Sequence, residues 1–475
     1  MINKWTRRGL LPFDIILSAL LFSSSTTAES YPMAVSPVIE DGLVNRAPTT
    51  CPVAQDGYTY NTFPWTHEPV CVDAVISSSE GPSLKQTFCA YTNVNYNNGR
   101  GVSFVVTPET AASITFDTYG MAIGGLEGQI GEEMGMWEVN ETKNMGKGLF
   151  AKKDIGAIFA GESIIVKTPV LFVARQLLET DFSEQSEIVW SGAMVQLPGP
   201  TKQMIQNLAK SWGGPEAFDI TKTNAIEVKW PWVNDMPVLL SLTPEIARIN
   251  HACRPNAAWR FNDYTLAFDL FALKEIKPGE EITISYGYEM RAHRRRMKSL
   301  EANHNFQCMC SLCTASEAEI EASNDRLSEI KALKSVLPSD TADSPQLLGL
   351  LPNLIKLYDD EDLHTETPMY EEILALTFSS FGIAHRAKYW AGRAKKHWAV
   401  LLGQESWEAK RCGDLEDDVR MHATWKSWKG EPYDGYENGH DYDHAGGEGE
   451  QADEDGEDLS DYDQRPERDQ FRGHI

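Results

Sequence analysis

The spacing Cys308-x-Cys310-x-x-Cys313 places three thiolates within six residues, close enough to wrap one tetrahedral zinc ion but one ligand short of a closed structural site. A cysteine from elsewhere must complete it. Cys253 is the natural candidate, because Cys51, Cys71, Cys89 and Cys412 lie outside this stretch. With Cys253 as fourth ligand, the 308–313 segment is pinned against residues 250–256 and lies over whatever pocket is there. The alternative is three unrelated thiols in one loop. Around Cys253 stands Arg248-Ile249-Asn250-His251-Ala252-Cys253-Arg254-Pro255-Asn256, and further on Gly279-Glu280-Glu281-Ile282-Thr283-Ile284-Ser285-Tyr286-Gly287-Tyr288. Alternation puts Ile282, Ile284 and Tyr286 on one face of a strand. Taken alone, Tyr286 reads as a core aromatic at a strand end and His251 as a satisfied core histidine.

In this order and spacing, Asn250-His251-x-Cys253-x-Pro255-Asn256, the Gly279–Tyr288 run and Phe306-x-Cys308-x-Cys310-x-x-Cys313 resemble the SET domain and its post-SET zinc motif. Upstream, Gly146-Lys147-Gly148-Leu149-Phe150-Ala151 followed by Gly161-Glu162 resembles the opening of that domain. The resemblance runs from Met136 to Thr314, about two fifths of the chain. The type it is most similar to is SET-and-MYND, which shares the C-x-C-x-x-C spacing and a helical C-terminal region. One departure is plain: the stretch between Val170 and Thr223 has no cysteine, so the MYND zinc finger is absent and partner recognition through it does not carry over.

The resemblance implies an α+β fold, a SET β-clip of small curled sheets with a threaded C-terminal segment, beside an α-helical C-terminal module. It implies S-adenosylmethionine as cofactor, structural zinc on Cys253, Cys308, Cys310 and Cys313, and methyl transfer to a lysine of a protein substrate, histone or non-histone. Gly146, Lys147 and Gly148 would approach the methionine part, where missing side chains allow close contact. Asn250 and His251 would hold the cofactor through main-chain and amide hydrogen bonds. Asn224 sits where relatives use a polar contact, and Phe306 would pack near the adenine or the substrate channel. Tyr286 would orient the amine and contact the transferring methyl, with Tyr288 helping to wall the channel. The chemical demand is modest, because in-line attack by a neutral amine asks for alignment, desolvation and loss of a proton. A free lysine has a pKa of about 10.4; burial and a neighbouring sulfonium both lower it, so no strong base is needed. Two rival readings are a non-catalytic SET-derived interaction module and a secreted zinc-stabilised structural protein.

The elements that must position these residues follow from patterning. Strands are predicted over Glu162–Lys167, Ala257–Phe261, Leu266–Leu270 and Glu281–Tyr286, the middle two paired around Asn262-Asp263 and the last fed by the turn Lys277-Pro278-Gly279-Glu280. Helices are predicted over Leu171–Thr180 and Met204–Trp212. A helical region follows Cys313, with Leu327, Ile330, Leu333 and Val336 in step and two helices parted at Gly382. The run Arg291-Ala292-His293-Arg294-Arg295-Arg296 reads as a solvated helix face. The expected organisation is a signal-like segment 1–28, an irregular β-rich region 29–130, a SET domain 136–290, a post-SET segment 291–316, a helical module 317–430 and an acidic tail 431–475.

The chain of 475 residues carries a net charge of -26. Glu431 to Ile475 holds 16 acidic and 3 basic residues, a net of -13, so half the charge sits in a tail too poor in apolar surface to order itself. Such a balance argues against direct nucleic-acid binding. Lys4, Arg7 and Arg8 precede the apolar run Ile15–Phe22 and the small residue Ala28, the make-up of a secretory signal, whereas the zinc thiolates and S-adenosylmethionine implied by the resemblance suit the nucleus or cytoplasm. That run is too short to span a bilayer, and no other segment is a transmembrane candidate. Asn140-Glu141-Thr142 is the one glycosylation sequon, and Cys51, Cys71 and Cys89 allow one disulfide with one thiol left over.

Overall fold

A computed structural model describes residues 65–76, 84–114, 135–143, 145–156, 161–178, 184–229, 238–262, 266–338 and 344–429. The signal-like segment 1–28, Cys51 and the acidic tail 431–475 lie outside the described residues.

The largest sheet has six strands in the order β1 (Val70–Ile76), β2 (Leu84–Asn93), β3 (Val102–Val106), β7 (Leu171–Ala174), β9 (Leu239–Leu242), β8 (Ile226–Val228). Only β3 and β7 run parallel. This corrects two expectations. The N-terminal β-rich region is not a separate unit, since it supplies three strands continuous with those of the later domain. Leu171–Thr180 is not a helix either: Leu171–Ala174 is a strand, with a 3₁₀ turn at Arg175–Leu178. The reason is burial on both faces. Every residue of β3 and β7 is buried, and Phe104 stacks on Phe172 at 4.7 Å, so neither strand shows a two-residue alternation. Cys71 and Cys89 face each other across β1 and β2 and are joined as a disulfide. Helix α1 (Glu184–Val195) packs on β1, β2 and β3.

Two smaller sheets carry the chemistry-bearing segments. One has the order β10 (Asn250–His251), β13 (Glu281–Ile284), β5 (Lys147–Ala151), β4 (Trp137–Glu141); the other is β11 (Ala257–Asn262), β12 (Ala267–Ala272), β6 (Ser163–Lys167). The hairpin and the 163–167 strand match expectation, while β13 stops at Ile284, two residues short of Tyr286. The helix expected over Met204–Trp212 sits earlier, as α2 (Gly199–Gln206). It starts at Gly199-Pro200, where proline suits a first turn, and is capped at Asn207. Beyond it, the Asp219 carboxylate on α3 (Glu216–Asn224) accepts from the amides of Ser211, Trp212 and Gly213, which holds that stretch as a turn.

After α4 (His293–His304) the chain forms a helical module with its own core, built on Leu327, Ile330, Leu351, Leu354, Tyr370, Phe378 and neighbours. It comprises α5 (Glu317–Ser335), α6 (Gln346–Asp360), α7 (Thr367–Ser380), α8 (Ala384–Leu402) and α9 (Trp407–Asp417). Ser316 and Glu319 form a capping box that starts α5. Among the described residues, no helix is long and apolar enough to cross a membrane. The module is bolted on by Glu361, whose buried carboxylate takes Arg254 from beside Cys253, Arg326 at 2.6 Å and the Ser323 hydroxyl at 2.9 Å. Removing one partner of a buried, hydrogen-bonded ion pair strands the other. Glu361→Ala is therefore expected to cost about 3–5 kcal/mol in urea denaturation. An unchanged unfolding midpoint would show that the bolt contributes nothing.

Candidate active site

Four cysteines converge as their spacing demanded. The Sγ atoms of Cys253, Cys308, Cys310 and Cys313 all lie within 4.8 Å of one another, with Cys253 3.8 Å from Cys308 and 3.5 Å from Cys313. Zinc–sulfur bonds of about 2.3 Å in a tetrahedron require sulfur atoms about 3.8 Å apart, so this donor set fits a structural zinc. Hydrogen bonds from Cys253, Cys308 and Cys313 hold the Cys310 thiol well below its ordinary value. Bonds from Cys253 and Cys308 bring Cys313 to about 7. Those two carry the thiolate character a metal needs, while the same shared hydrogen bonds push the Cys253 thiol up and Cys308 is raised as well, so metal binding there must displace protons. Arg294 and Arg295 are exposed, as a solvated helix face requires, whereas Arg296 departs from that expectation. Its side chain is 1% exposed, with Nη1 donating to the Arg291 carbonyl at 2.7 Å. Burial alone would lower its pKa, and the charge of Cys253 and Cys313 outweighs that and raises it. The cation stays because it faces the thiols.

His251, two residues before Cys253, connects the cluster to Tyr286. Its Nδ1 accepts from the Tyr286 amide at 3.0 Å and its Nε2 lies 3.3 Å from Cys253 Sγ. Burial lowers the imidazole to about 4 against the pull of the Cys310 thiolate, so the ring is neutral, with its proton on Nε2. Tyr286 in turn donates its hydroxyl to the Ile249 carbonyl at 2.6 Å. Burial, reinforced by the Glu281 carboxylate, pushes its phenol up and keeps it protonated. The rings of Tyr286, His304 and Phe306 sit 5.3 to 6.3 Å apart.

Beside this core lies a cavity of about 580 Å³, within the range of small-molecule sites. Gly146, Lys147, Asn224, Asn250, His251, Tyr286 and Phe306 all line it. Gly148 and Tyr288, also expected there, do not. A Cβ on Gly148 would fall 2.3 Å from Glu281 Oε1 and 2.9 Å from Asn250 Nδ2. The glycine therefore serves the packing of β5 against Asn250 and Glu281. Tyr288 takes a left-handed backbone, φ 71°, and lies under the Arg291 guanidinium at 5.0 Å.

Three of the lining side chains are already engaged within the protein. Asn250 spends its amide on Glu281 at 2.7 Å and the Lys147 carbonyl, and Asn224 spends its own on the carbonyls of Ala209 and Ile220. His251 is occupied on both ring nitrogens. These side chains shape the wall, and their main-chain groups are what remains to meet a ligand. Sequence reasoning missed the segment Asp362–Thr365, which reaches the cavity from the turn between α6 and α7 and carries no motif. It also assigned no role to Arg248, although that residue opens the quoted Asn250 motif.

Residues 146–287 match the family described as SET domain. The chain carries a SET domain. It is similar to the histone-lysine N-methyltransferase set5 of Schizosaccharomyces pombe, 33% identical over 180 residues, covering 37% of this chain and 56% of that one. It is also similar to the protein-lysine N-trimethyltransferase SMYD5 of Mus musculus, 42% identical over 69 residues, 14% of this chain and 17% of the relative. With the histone-lysine N-methyltransferase SMYD3 of Homo sapiens it shares 33% identity over 82 residues, 17% and 19% of the two chains. The matched region thus spans about half the length of the yeast relative and under a fifth of the other two.

The SET domain's cysteine cluster is open to direct measurement. Cys310→Ser is expected to reduce bound zinc from about one equivalent to nearly none, read by elemental analysis of purified full-length protein. Equal zinc in variant and wild type would show that these thiols do not hold the ion.

Proposed function

We propose that this chain transfers a methyl group from S-adenosylmethionine to the side-chain amine of a lysine in a protein substrate. The observation that carries this is the cavity in which Gly146, Asn250, Tyr286 and Phe306 meet, with the Tyr286 hydroxyl tethered to the Ile249 carbonyl. The names of the relatives, histone-lysine and protein-lysine methyltransferases, support the same class of substrate. When bound, S-adenosylmethionine supplies a methyl carbon made electrophilic by a positive sulfonium. The residues described here do the rest. Tyr286 and the Ile249 carbonyl both line the cavity and offer acceptor oxygens for the lysine nitrogen. The tether and the Tyr286 amide bond to His251 hold that geometry in advance, which is where most of the rate advantage of an aligned displacement comes from. Tyr286 stays neutral, so it acts as a dipole and not as a base. The lysine leaves its proton to water on entering the desolvated channel and then attacks as a free amine.

Compartment follows from a different feature. We infer passage through an oxidising compartment from the Cys71–Cys89 disulfide, together with the signal-like make-up of residues 1–28. Fluorescent fusions with and without residues 1–28 test this; identical nuclear or cytosolic distribution of the two would overturn it.

Activity is tested by radiolabelled methyl transfer to a proteome extract, with Tyr286→Phe as control. The variant is expected to lose at least about tenfold in labelling, since it forfeits a positioned hydroxyl worth roughly 1.5 kcal/mol or more in the aligned state. Labelling equal to wild type would remove Tyr286 from the mechanism, and no labelling by either protein would favour the interaction-module reading.

A further inference from the structure

Helix α8 (Ala384–Leu402) is basic against the trend of the chain. Its 19 residues hold five lysines and arginines, two histidines and no acid, in a protein with a net charge of -26. Ala387, Ala391, Ala394, Trp398 and Leu401 turn inward at helical spacing, and the cations fill the rest of the circumference. Three of them are engaged within the module. Arg393 meets Glu371 at 2.8 Å and Asp359 at 3.1 Å, Lys395 meets Glu416 at 3.0 Å, and His397 meets Glu371 at 2.7 Å. His385, Lys388 and Lys396 are exposed and, among the described residues, pair with no acid. Tyr389, 53% exposed, stands between the two lysines.

The chain itself delivers acid to this face. After α9 it folds back over the end of α7. The Lys426 amide donates to the Ser379 carbonyl at 3.0 Å, the Trp428 amide to the Ser380 carbonyl at 3.2 Å, and the Trp428 ring lies 5.0 Å from that of Phe381. Phe381 to Ile383 is the joint from which α8 starts, so Lys429, next after Trp428, is held at the head of that helix. The first turn of α8 has no acid, and Ile383 makes no side-chain capping bond, which leaves the positive end of the helix without a side-chain cap. Residues 431–443 follow at once, with Glu431, Asp434, Glu437, Asp441 and Asp443 and no lysine or arginine. Ile383 to Lys396 is about 20 Å of helix, a distance that about six extended residues span.

We propose that residues 431–443 dock in the same chain along the basic face of α8, with their carboxylates on Lys388 and Lys396. Exposed ion pairs are individually weak. The tether offsets that, because a segment joined through so few residues meets its site at an effective concentration of about millimolar. The interleaved Tyr433, Tyr436 and Tyr442 give the segment apolar area to set on Tyr389. Glu416, which pairs with Lys395 and lies against Gly392, bounds the face on the α9 side and directs an acidic segment away from it. A separate polyanion would have to approach a chain of net charge -26, whereas the tail arrives already attached.

The test is zero-length carbodiimide coupling on the dilute full chain, followed by peptide mass spectrometry. The reagent joins a lysine amine to a carboxylate only where the two touch. Links from Lys388 and Lys396 to acids of 431–443 are expected within single chains, at least about tenfold above any from Lys298 on α4, which is exposed as well. Salt at about 0.5 M is expected to remove them, because it shortens the screening length to a few ångströms. Equal linkage of the tail to Lys298 would make the tail an unselective fringe and overturn the proposal. So would links between α8 and the tail in dimers alone, which assign the face to a second copy, and so would the absence of any such link.

Discussion

The contact on which the site depends is the convergence of Cys253 with the 308–313 segment. Cys253 lies in the loop after β10, and the other three thiols come from a segment more than fifty residues later, so nothing local brings them together. Drawing four thiolates into one volume is unfavourable unless a cation binds them, so a metal held there would drive closure of the cluster. Once closed, the cluster sets everything within two residues of it. His251 bridges Cys253 and the Tyr286 amide, and Phe306 is carried in beside Tyr286. Arg296 is buried behind the thiols, whose charge raises its pKa against the effect of burial.

A second tie runs outward from the same place. Arg254, the residue after Cys253, reaches Glu361 at the end of α6, and Lys274 meets Asp362 next to it. The helical module is thereby registered on the SET domain through two ion pairs, and the turn 362–365 is held where it lines the cavity. The module has an apolar core of its own, and this docking fixes its orientation over the site. Packing supplies the energy and buried charge supplies the direction.

Much of the site was legible because its residues cluster in short motifs whose chemistry is restrictive. Few roles other than metal binding put three cysteines within six residues, and the Asn250–Asn256 and Gly279–Tyr288 runs carry their resemblance in order. What was not legible was side-chain allegiance. Asn250, Asn224 and His251 all line the cavity as expected, yet their side chains bond to their own chain. Gly148 was expected at a ligand and instead clears space for Glu281 and Asn250. Residue type announces that a polar group will be satisfied, and only the fold decides by whom.

The same division holds for the fold. By itself the sequence determined the small sheets around the hairpin, the helical module after Cys313, the break at Gly382 and the identity of the four thiols, because each is written in local patterning or spacing. Tertiary structure alone decided that Leu171–Ala174 is a strand and that Val70–Ile76, Leu84–Asn93 and Val102–Val106 join its sheet. It also decided that Arg296 is buried and that, among the described residues, Arg248 pairs with no acid. The reason is common to all four cases. A strand buried on both faces has no alternation to read, and the solvation of a charge depends on neighbours that are distant in sequence.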